Sequence, residues 1–423
     1  MRKMLSFLGT GSYRATHYRH PDGEEVYETP FVQEALVEFY RPERLYVLLT
    51  PGAERNIPKD ADRSNWEALR ERLEGRVELV PVRGVPEGAS EAELWQMFDL
   101  VTGCFEPGDR VIFDLTHGFR SLPVIALIAV AFLRVACDVR VEGLVYGAFE
   151  ARDPETGVAP LYDLLPIVTL LDWTTATDQF LKTGDAGDLS VLLREVQGRW
   201  YRERSGVARS ELPQHLNRLS DALEGVSAAR ALVRPLEATR ALGALRGVLA
   251  EAAQEFDRWA PPFRLLLERV RQDCAAVALL EGAEPAEQVR AHRELIRWYL
   301  ERRHYLHAAL LAREWVVSVI ALHAGGDWTD HAVREEVERA LNAQARWEQG
   351  KEFQEAALRE RVAALPEVQR ETALRLWNRV GQLRNDLAHC GMRAEKVAAK
   401  KLANNLEGLR EHLDAVAQAF QLM

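Results

Sequence analysis

Cysteine is scarce: four residues in 423, at positions 104, 137, 274 and 390, with no Cys-x-x-Cys pair. That spacing excludes a zinc ribbon and a disulfide framework and fits a reducing compartment, so the chain is expected in the cytoplasm. Long apolar runs are missing as well. The longest, Val124 to Leu133, stops at Arg134 after ten residues. A membrane span needs about 20, so the run predicts a buried helix and no membrane partner. The first residues, MRKMLSFLGTGSYR, hold too short an apolar stretch for a signal peptide and no small-residue cleavage pattern. Lysine is rare, seven of the 54 basic residues, and acids outnumber bases by 64 to 54. With a net charge of −10, no overall basic field draws the chain to nucleic acid, and any such contact needs a local patch. His-Glu-x-x-His and carboxylate clusters at metal-ligand spacing are also lacking, so no metal site is expected.

What is present falls into two textures. Residues 1–165 alternate short apolar strands (Lys3–Leu8, Arg44–Leu49, Arg76–Val82, Arg110–Leu115, Val139–Phe149) with helix-period segments (Phe31–Tyr40, Ser64–Leu73, Ser90–Val101 and 119–136). Such alternation predicts a parallel, Rossmann-like sheet with helices on both faces. Ser90 followed by Glu93 has the spacing of a capping box. The turn Asp153–Gly157 predicts that Val158–Leu164 returns as an antiparallel edge strand. From about Ile167 the strand signal fades and Leu, Ala, Glu and Arg recur at helical spacing. Breaks near Gly282–Pro285 suggest a middle and a C-terminal helical bundle. The fold class expected is an α/β domain followed by an all-α region.

Two loops in the α/β half have ligand chemistry. Gly9-Thr10-Gly11-Ser12-Tyr13 follows the first strand, and Thr116-His117-Gly118-Phe119-Arg120-Ser121 follows the fourth. In a sheet of order 3-2-1-4-5 these strands are neighbours where the winding reverses, and their carboxyl ends flank one crevice. Small residues let backbone N–H groups reach phosphates, hydroxyls add donors, and Arg120 adds a fixed charge. Turn punctuation is the alternative for either loop alone. Neither the Gly-x-Gly-x-x-Gly nor the P-loop fingerprint is met.

Near the end, RLWNRVGQLRNDLAHCGMR contains Arg384-Asn385-Asp386-Leu387-Ala388-His389, an Arg-x4-His pattern. Arg302-x4-His307 is a second match. Context separates them, because polar Asn385 and Asp386 and then Gly391 place the first near a helix end. An Arg–His pair without metal suits RNA cleavage by the substrate's own 2′-OH: the imidazole moves protons and the guanidinium steadies phosphorane charge. A helix-end arginine and a core histidine are the alternative. Cys390 as a nucleophile is disfavoured, since adjacent helical residues point apart.

FLGTGSY, TPGAERN, NWEAL, ELWQMF, VIFDLTHGFRSLP and YGAFEA together resemble one branch of the CARF domains, the Rossmann-like sensors of type III CRISPR accessory proteins. RNDLAH resembles the R-x4-6-H motif of HEPN ribonucleases. The resemblance implies a CARF-like domain over 1–175, a helical linker over 176–285 and a HEPN domain over 286–423. It implies an endoribonuclease switched on by cyclic oligoadenylate, with tetra-adenylate favoured and no other cofactor. Gly9, Thr10, Gly11, Ser12, Tyr13, Thr116, His117, Gly118, Phe119, Arg120 and Ser121 would contact the ring. Arg384 and His389, with Asn385 as polar neighbour, would cut single-stranded RNA without metal and leave a 2′,3′-cyclic phosphate. Two HEPN domains form one composite site in that family, which implies a homodimer or an assembly of dimers. Two alternatives stay open: a sensor or scaffold without nuclease activity, and a ring nuclease that cuts the cyclic ligand in the sensor crevice.

Overall fold

The structure is a computed structural model that describes residues 1–117, 122–203, 208–279, 282–350, 356–392 and 397–422. It divides into two compact units, Met1–Leu171 and Asp172–Met423.

The first unit runs β1 (Arg2–Phe7), β2 (Thr16–Arg19), β3 (Val26–Thr29), α1 (Val32–Tyr40), β4 (Arg44–Leu49), α2 (Pro51–Arg55), α3 (Asn65–Leu73), β5 (Glu78–Arg83), α4 (Glu91–Thr102), β6 (Arg110–Asp114), α5 (Leu122–Ala136), β7 (Arg140–Gly147) and β8 (Val158–Asp163). The sheet order is β3-β2-β8-β7-β6-β1-β4-β5. From β5 to β7 the pairing is parallel, and the winding reverses between β1 and β6, where Leu5 lies opposite Phe113. This is the doubly wound order that the alternation predicts.

The other side of the sheet corrects the expectation for β8. It does pair antiparallel with β7, but it is no edge. β2 pairs with β8, and β3 pairs antiparallel with β2. Both are four-residue strands; in β2 Thr16 and Tyr18 are buried while His17 and Arg19 are exposed, and in β3 only Thr29 is buried. So short a period-two signal is hard to read without its neighbours.

Successive residues of the central strands enter opposite cores, as a pleated strand covered on both faces requires. Leu5, Phe7 and Phe113 pack with Met97, Val101 and Val130 of α4 and α5. Met4, Leu45 and Ile112 pack with Val32, Leu36 and Leu69 of α1 and α3. At the amino end of β1, buried Lys3 meets buried Asp109 at 2.6 Å. Asp109 also accepts the Glu106 N–H at 2.7 Å. α3 starts on a full capping box, Ser64 with Glu67. At α4 only half of one forms. Ser90 accepts the Glu93 N–H, while the Glu93 carboxylate takes the N–H groups of Gly88 and Ala89 instead.

α5 corrects a second expectation. Ile125, Ala126, Ala129, Val130 and Leu133 are buried, but Val124, Ile128, Phe132 and Val135 form an exposed apolar stripe on the outer side. The unbroken apolar run therefore serves two faces rather than one interior.

The second unit is helical: α6 (Leu165–Thr183, which spans the division point), α7 (Gly187–Glu203), α8 (Leu216–Ala231), α9 (Pro235–Trp259), α10 (Pro261–Ala275), α11 (Pro285–Glu301), α12 (Tyr305–His323), α13 (His331–Glu348), α14 (Ala356–Ala363), α15 (Glu367–Ala388), α16 (Ala399–Glu407) and α17 (Leu409–Ala419). One apolar core extends from Trp173 to Leu422. α12 is apolar and long enough to cross a membrane, yet most of its apolar window is buried in this core.

Candidate functional site

At the carboxyl ends of β1 and β6 the two loops meet. Asp114, fully buried at the end of β6, accepts the Ser6 hydroxyl of β1 at 2.5 Å. It also accepts the Thr116 hydroxyl at 2.5 Å and the Thr116 N–H at 2.9 Å. The Thr116 hydroxyl in turn accepts the Gly147 N–H of β7 at 2.8 Å. A Cβ at Gly147 would sit 3.1 Å from Thr116 and 3.2 Å from Val32, so the close approach needs glycine. One carboxylate thus fixes where the loop after β6 begins.

The loop after β1 is held from its carbonyl side. The Asn65 amide donates to the Gly9 carbonyl at 3.1 Å and to Gly11 at 2.8 Å. The Asn56 amide donates to the Thr10 carbonyl at 2.7 Å. Gln33, fully buried, donates to the Phe7 carbonyl at 2.7 Å. With its acceptors tied back, the exposed stretch Thr10-Gly11-Ser12 keeps N–H and hydroxyl donors for a ligand. Successive backbone N–H groups of this kind suit phosphate oxygens.

Tyr13 and His117 join the loops edge to face, 4.7 Å between ring centres. The Tyr13 hydroxyl accepts the Gly9 N–H at 2.8 Å, and burial raises the phenol's pKa, so it is a neutral donor at physiological pH. Burial lowers the His117 pKa, outweighing the opposite pull of Asp114 and Glu150. Its buried Nε2 has no hydrogen-bond partner among the described residues. Gly9, Thr10, Gly11, Ser12, Tyr13, Thr116 and His117 therefore share one crevice. Gly118, Phe119, Arg120 and Ser121 lie outside the described residues.

Several contributors here are absent from the sequence-based set. Asn56 and Asn65 sit in TPGAERN and NWEAL, segments whose role a single sequence does not show. Ser6 and Asp114 read as strand residues. Arg14 is the additional cation. It is exposed directly after the Gly-Thr-Gly-Ser-Tyr loop, with no carboxylate partner among the described residues. Its position after the loop was the available signal.

In the second unit Arg384 lies just before the last turn of α15 and His389 caps that helix. Cys390 and Gly391 then take left-handed conformations, φ 54° and 66°, and the Gly391 N–H bonds the Asp386 carbonyl at 3.2 Å, a Schellman-type end. This end holds the motif in place: Asp386 is buried, Arg384 is half-buried, and Asn385 and His389 are exposed. No carboxylate pairs with Arg384 among the described residues, so its charge is available to an anion. The other Arg-x4-His pair is occupied. Arg302 bonds Asp273 and the Leu181 carbonyl and lies over Trp298, and His307 Nε2 bonds the Ala231 carbonyl at 3.1 Å. No group of three or more metal-ligating side chains occurs among the described residues.

Residues 3–150 match the family model described as the CARF domain of the CRISPR system endoribonuclease Csx1. The N-terminal unit is a CARF domain. Residues 169–276 match a second model, the second domain of CRISPR-associated protein MJ1674, so this CARF domain belongs to a CRISPR-associated protein. The protein of that name from Methanocaldococcus jannaschii is 32% identical over 109 residues. That stretch is 25% of this chain and only 17% of the relative's length. Among solved structures, Enterococcus italicus Csm6 bound to cyclic hexa-2′-fluoro-hexa-dAMP aligns with 100% of this chain and 95% of its own. The TM-score is 0.45 and the identity 11%.

Proposed function

We propose that the CARF domain binds a cyclic oligoadenylate and that this ligand switches on a metal-independent ribonuclease at Arg384 and His389. The observation that carries the reading is the end of α15: an exposed imidazole and, five residues away, a guanidinium with no carboxylate partner among the described residues, in a chain with a CARF domain. The crevice supports the ligand half, because it offers backbone donors, a neutral phenol and Arg14 to a phosphate-bearing ring.

In the reaction the RNA supplies its own nucleophile. The 2′-OH attacks the adjacent phosphate, the 5′-oxygen of the next nucleotide leaves, and a 2′,3′-cyclic phosphate remains. His389 takes the hydroxyl proton or hands one to the leaving oxygen, a role worth about 10²- to 10⁴-fold. Arg384 stabilises charge building on the phosphorane oxygens. One helix end presents one Arg–His pair, and a second copy would bring the other, completing a site for single-stranded RNA. The exposed stripe of α5 supports such a homodimer. It follows directly on the loop after β6, so a two-fold axis along it would set two crevices side by side under one ring, with tetra-adenylate the preferred size.

The deciding experiment is RNA cleavage with and without each cyclic oligoadenylate. Cleavage should depend on the ring and should continue in EDTA. A single 2′-deoxy sugar 5′ of the preferred scissile phosphate should block cutting there and nowhere else. Cleavage at the deoxy position would make water the nucleophile and defeat the mechanism.

The buried Nε2 of His117, without a hydrogen-bond partner among the described residues, favours a second activity alongside the first, cleavage of the cyclic ligand in the crevice itself. Appearance of linear products in a chain carrying His389→Ala would show it, and their absence would reject it.

A further inference from the structure

Trp347 stands in the last turn of α13 with 58% of its surface exposed. The Arg359 guanidinium of α14 lies 4.0 Å from its ring centre. We infer that this pair is a stacking platform for an RNA base flanking the cleavage site, an assignment that rests on the ribonuclease reading above.

Contacts on three helices place the pair. α12 and α13 are antiparallel: Arg334 bonds Ser318, while Arg313 bonds Glu338. α12 and α15 are antiparallel as well. Arg313 lies over Trp377, whereas Gln369 bonds the Ala419 carbonyl beside Phe420, which packs on His323 at the far end of α12. α13 and α15 therefore run parallel, with Asn342 level with Trp377 through a 3.2 Å hydrogen bond. At 1.5 Å per residue, Trp347 is about 7.5 Å further along α13 and Arg384 about 10 Å further along α15. Seven residues turn about 700°, so Arg384 projects within roughly 20° of Trp377, on the face turned to α13. His389 is the next turn beyond. The exposed indole and the catalytic pair thus occupy the same end of neighbouring helices.

Charge favours a nucleic acid as the occupant. Between Glu371 and Asp386, α15 carries Arg375, Arg379 and Arg384 and no acidic residue. Of these, Arg384 projects on the face turned to α13, while Arg375 and Arg379 lie on the opposite side of the helix and Arg379 bonds Asn405. Arg384 is thus the local cation beside the indole that a chain of net charge −10 offers to a phosphate. An indole backed by a guanidinium suits base stacking, which tolerates any base because every base has a π-face.

The test measures binding of a fluorescent single-stranded RNA to the full chain carrying His389→Ala, with cyclic tetra-adenylate present. Adding Trp347→Ala should weaken binding about 5- to 100-fold, and Trp347→Phe should restore most of it. In the cleaving chain, Trp347→Ala should raise KM while kcat at saturating RNA holds. Unchanged affinity in Trp347→Ala overturns the platform while leaving the Arg384–His389 reading intact. Loss of the dimer in sedimentation, with affinity falling equally for Trp347→Phe, also overturns it and makes the indole a contact between copies. If the wild-type chain cuts no RNA, the ribonuclease reading fails instead, and the binding measurement still reports on Trp347.

Discussion

At the scale of single residues, pairing separates groups held for structure from groups left for chemistry. His307 gives Nε2 to a backbone carbonyl and its motif partner Arg302 is tied to Asp273, whereas the side chains of His389 and Arg384 at the end of α15 have no hydrogen-bond or ion-pair partner among the described residues. His389→Ala should therefore lower RNA cleavage at least 10²-fold with ring binding, read by calorimetry, unchanged. His307→Ala should cleave near the wild-type rate and lose only about 1 kcal/mol of stability with its hydrogen bond. Equal loss of activity at both positions would reverse the choice of motif. Arg14 allows the same kind of test in the sensor. If it holds a ring phosphate, Arg14→Ala removes a charge-assisted bond worth about 1.5–3 kcal/mol. The half-maximal activator concentration should then rise about 10- to 100-fold while activity at saturation recovers. A lower plateau at an unchanged half-maximal concentration would rule Arg14 out as a ligand contact.

At the scale of elements, β1 does two jobs, and each end has its own device. Its carboxyl end presents the Gly9–Tyr13 loop. Its amino end is clamped to the start of β6 by Lys3 and Asp109, both almost fully buried. Burial alone would raise the Asp109 pKa, but the Lys3 ammonium and the Glu106 N–H hold it below the ordinary carboxylate value. Burial likewise pulls Lys3 down, and Asp109 more than restores it, leaving it raised. The pair's stabilisation is thus fully present between roughly pH 4 and pH 10. It is lost in acid as Asp109 protonates through its lowered pKa, and in alkali as Lys3 deprotonates through its raised one. Lys3→Met strands the carboxylate and should cost about 3–5 kcal/mol at pH 7 in urea unfolding, with the difference narrowing below pH 4. A penalty that does not change with pH would mean lost packing rather than a lost ion pair. The central strands were legible in the sequence because burial on both faces makes an unbroken apolar run, as in RLYVLL and RVIFDL. β2 and β3 were not, since four residues signal little without the neighbour that pairs with them. The loops Gly9–Tyr13 and Thr116–His117 were legible as small and polar residues after strands. Asn56 and Asn65 were not, because their role lies in reaching back across more than forty residues to the loop's carbonyls.

At the scale of the whole molecule, the exposed stripe of α5 bears on how many chains share one ligand. Val124, Ile128, Phe132 and Val135 recur at helical spacing on the outside of the CARF domain, with Val135 90% exposed. Contiguous apolar surface of this kind marks an interaction site more often than a solvated face. A ring of identical nucleotides has rotational symmetry of its own, and a two-fold dimer offers the same loops twice. Each chain would then bring one Gly9–Tyr13 loop and one Arg14 to a single ring. Calorimetry should find one ring per two chains, and Ile128→Glu should shift sedimentation from dimer toward monomer. If the site is shared it is incomplete in a monomer, and the same substitution should weaken ring binding at least tenfold although Ile128 lies on the exposed side of α5. A stoichiometry of one ring per chain, or full affinity in an Ile128→Glu monomer, would mean that each crevice holds its ligand alone.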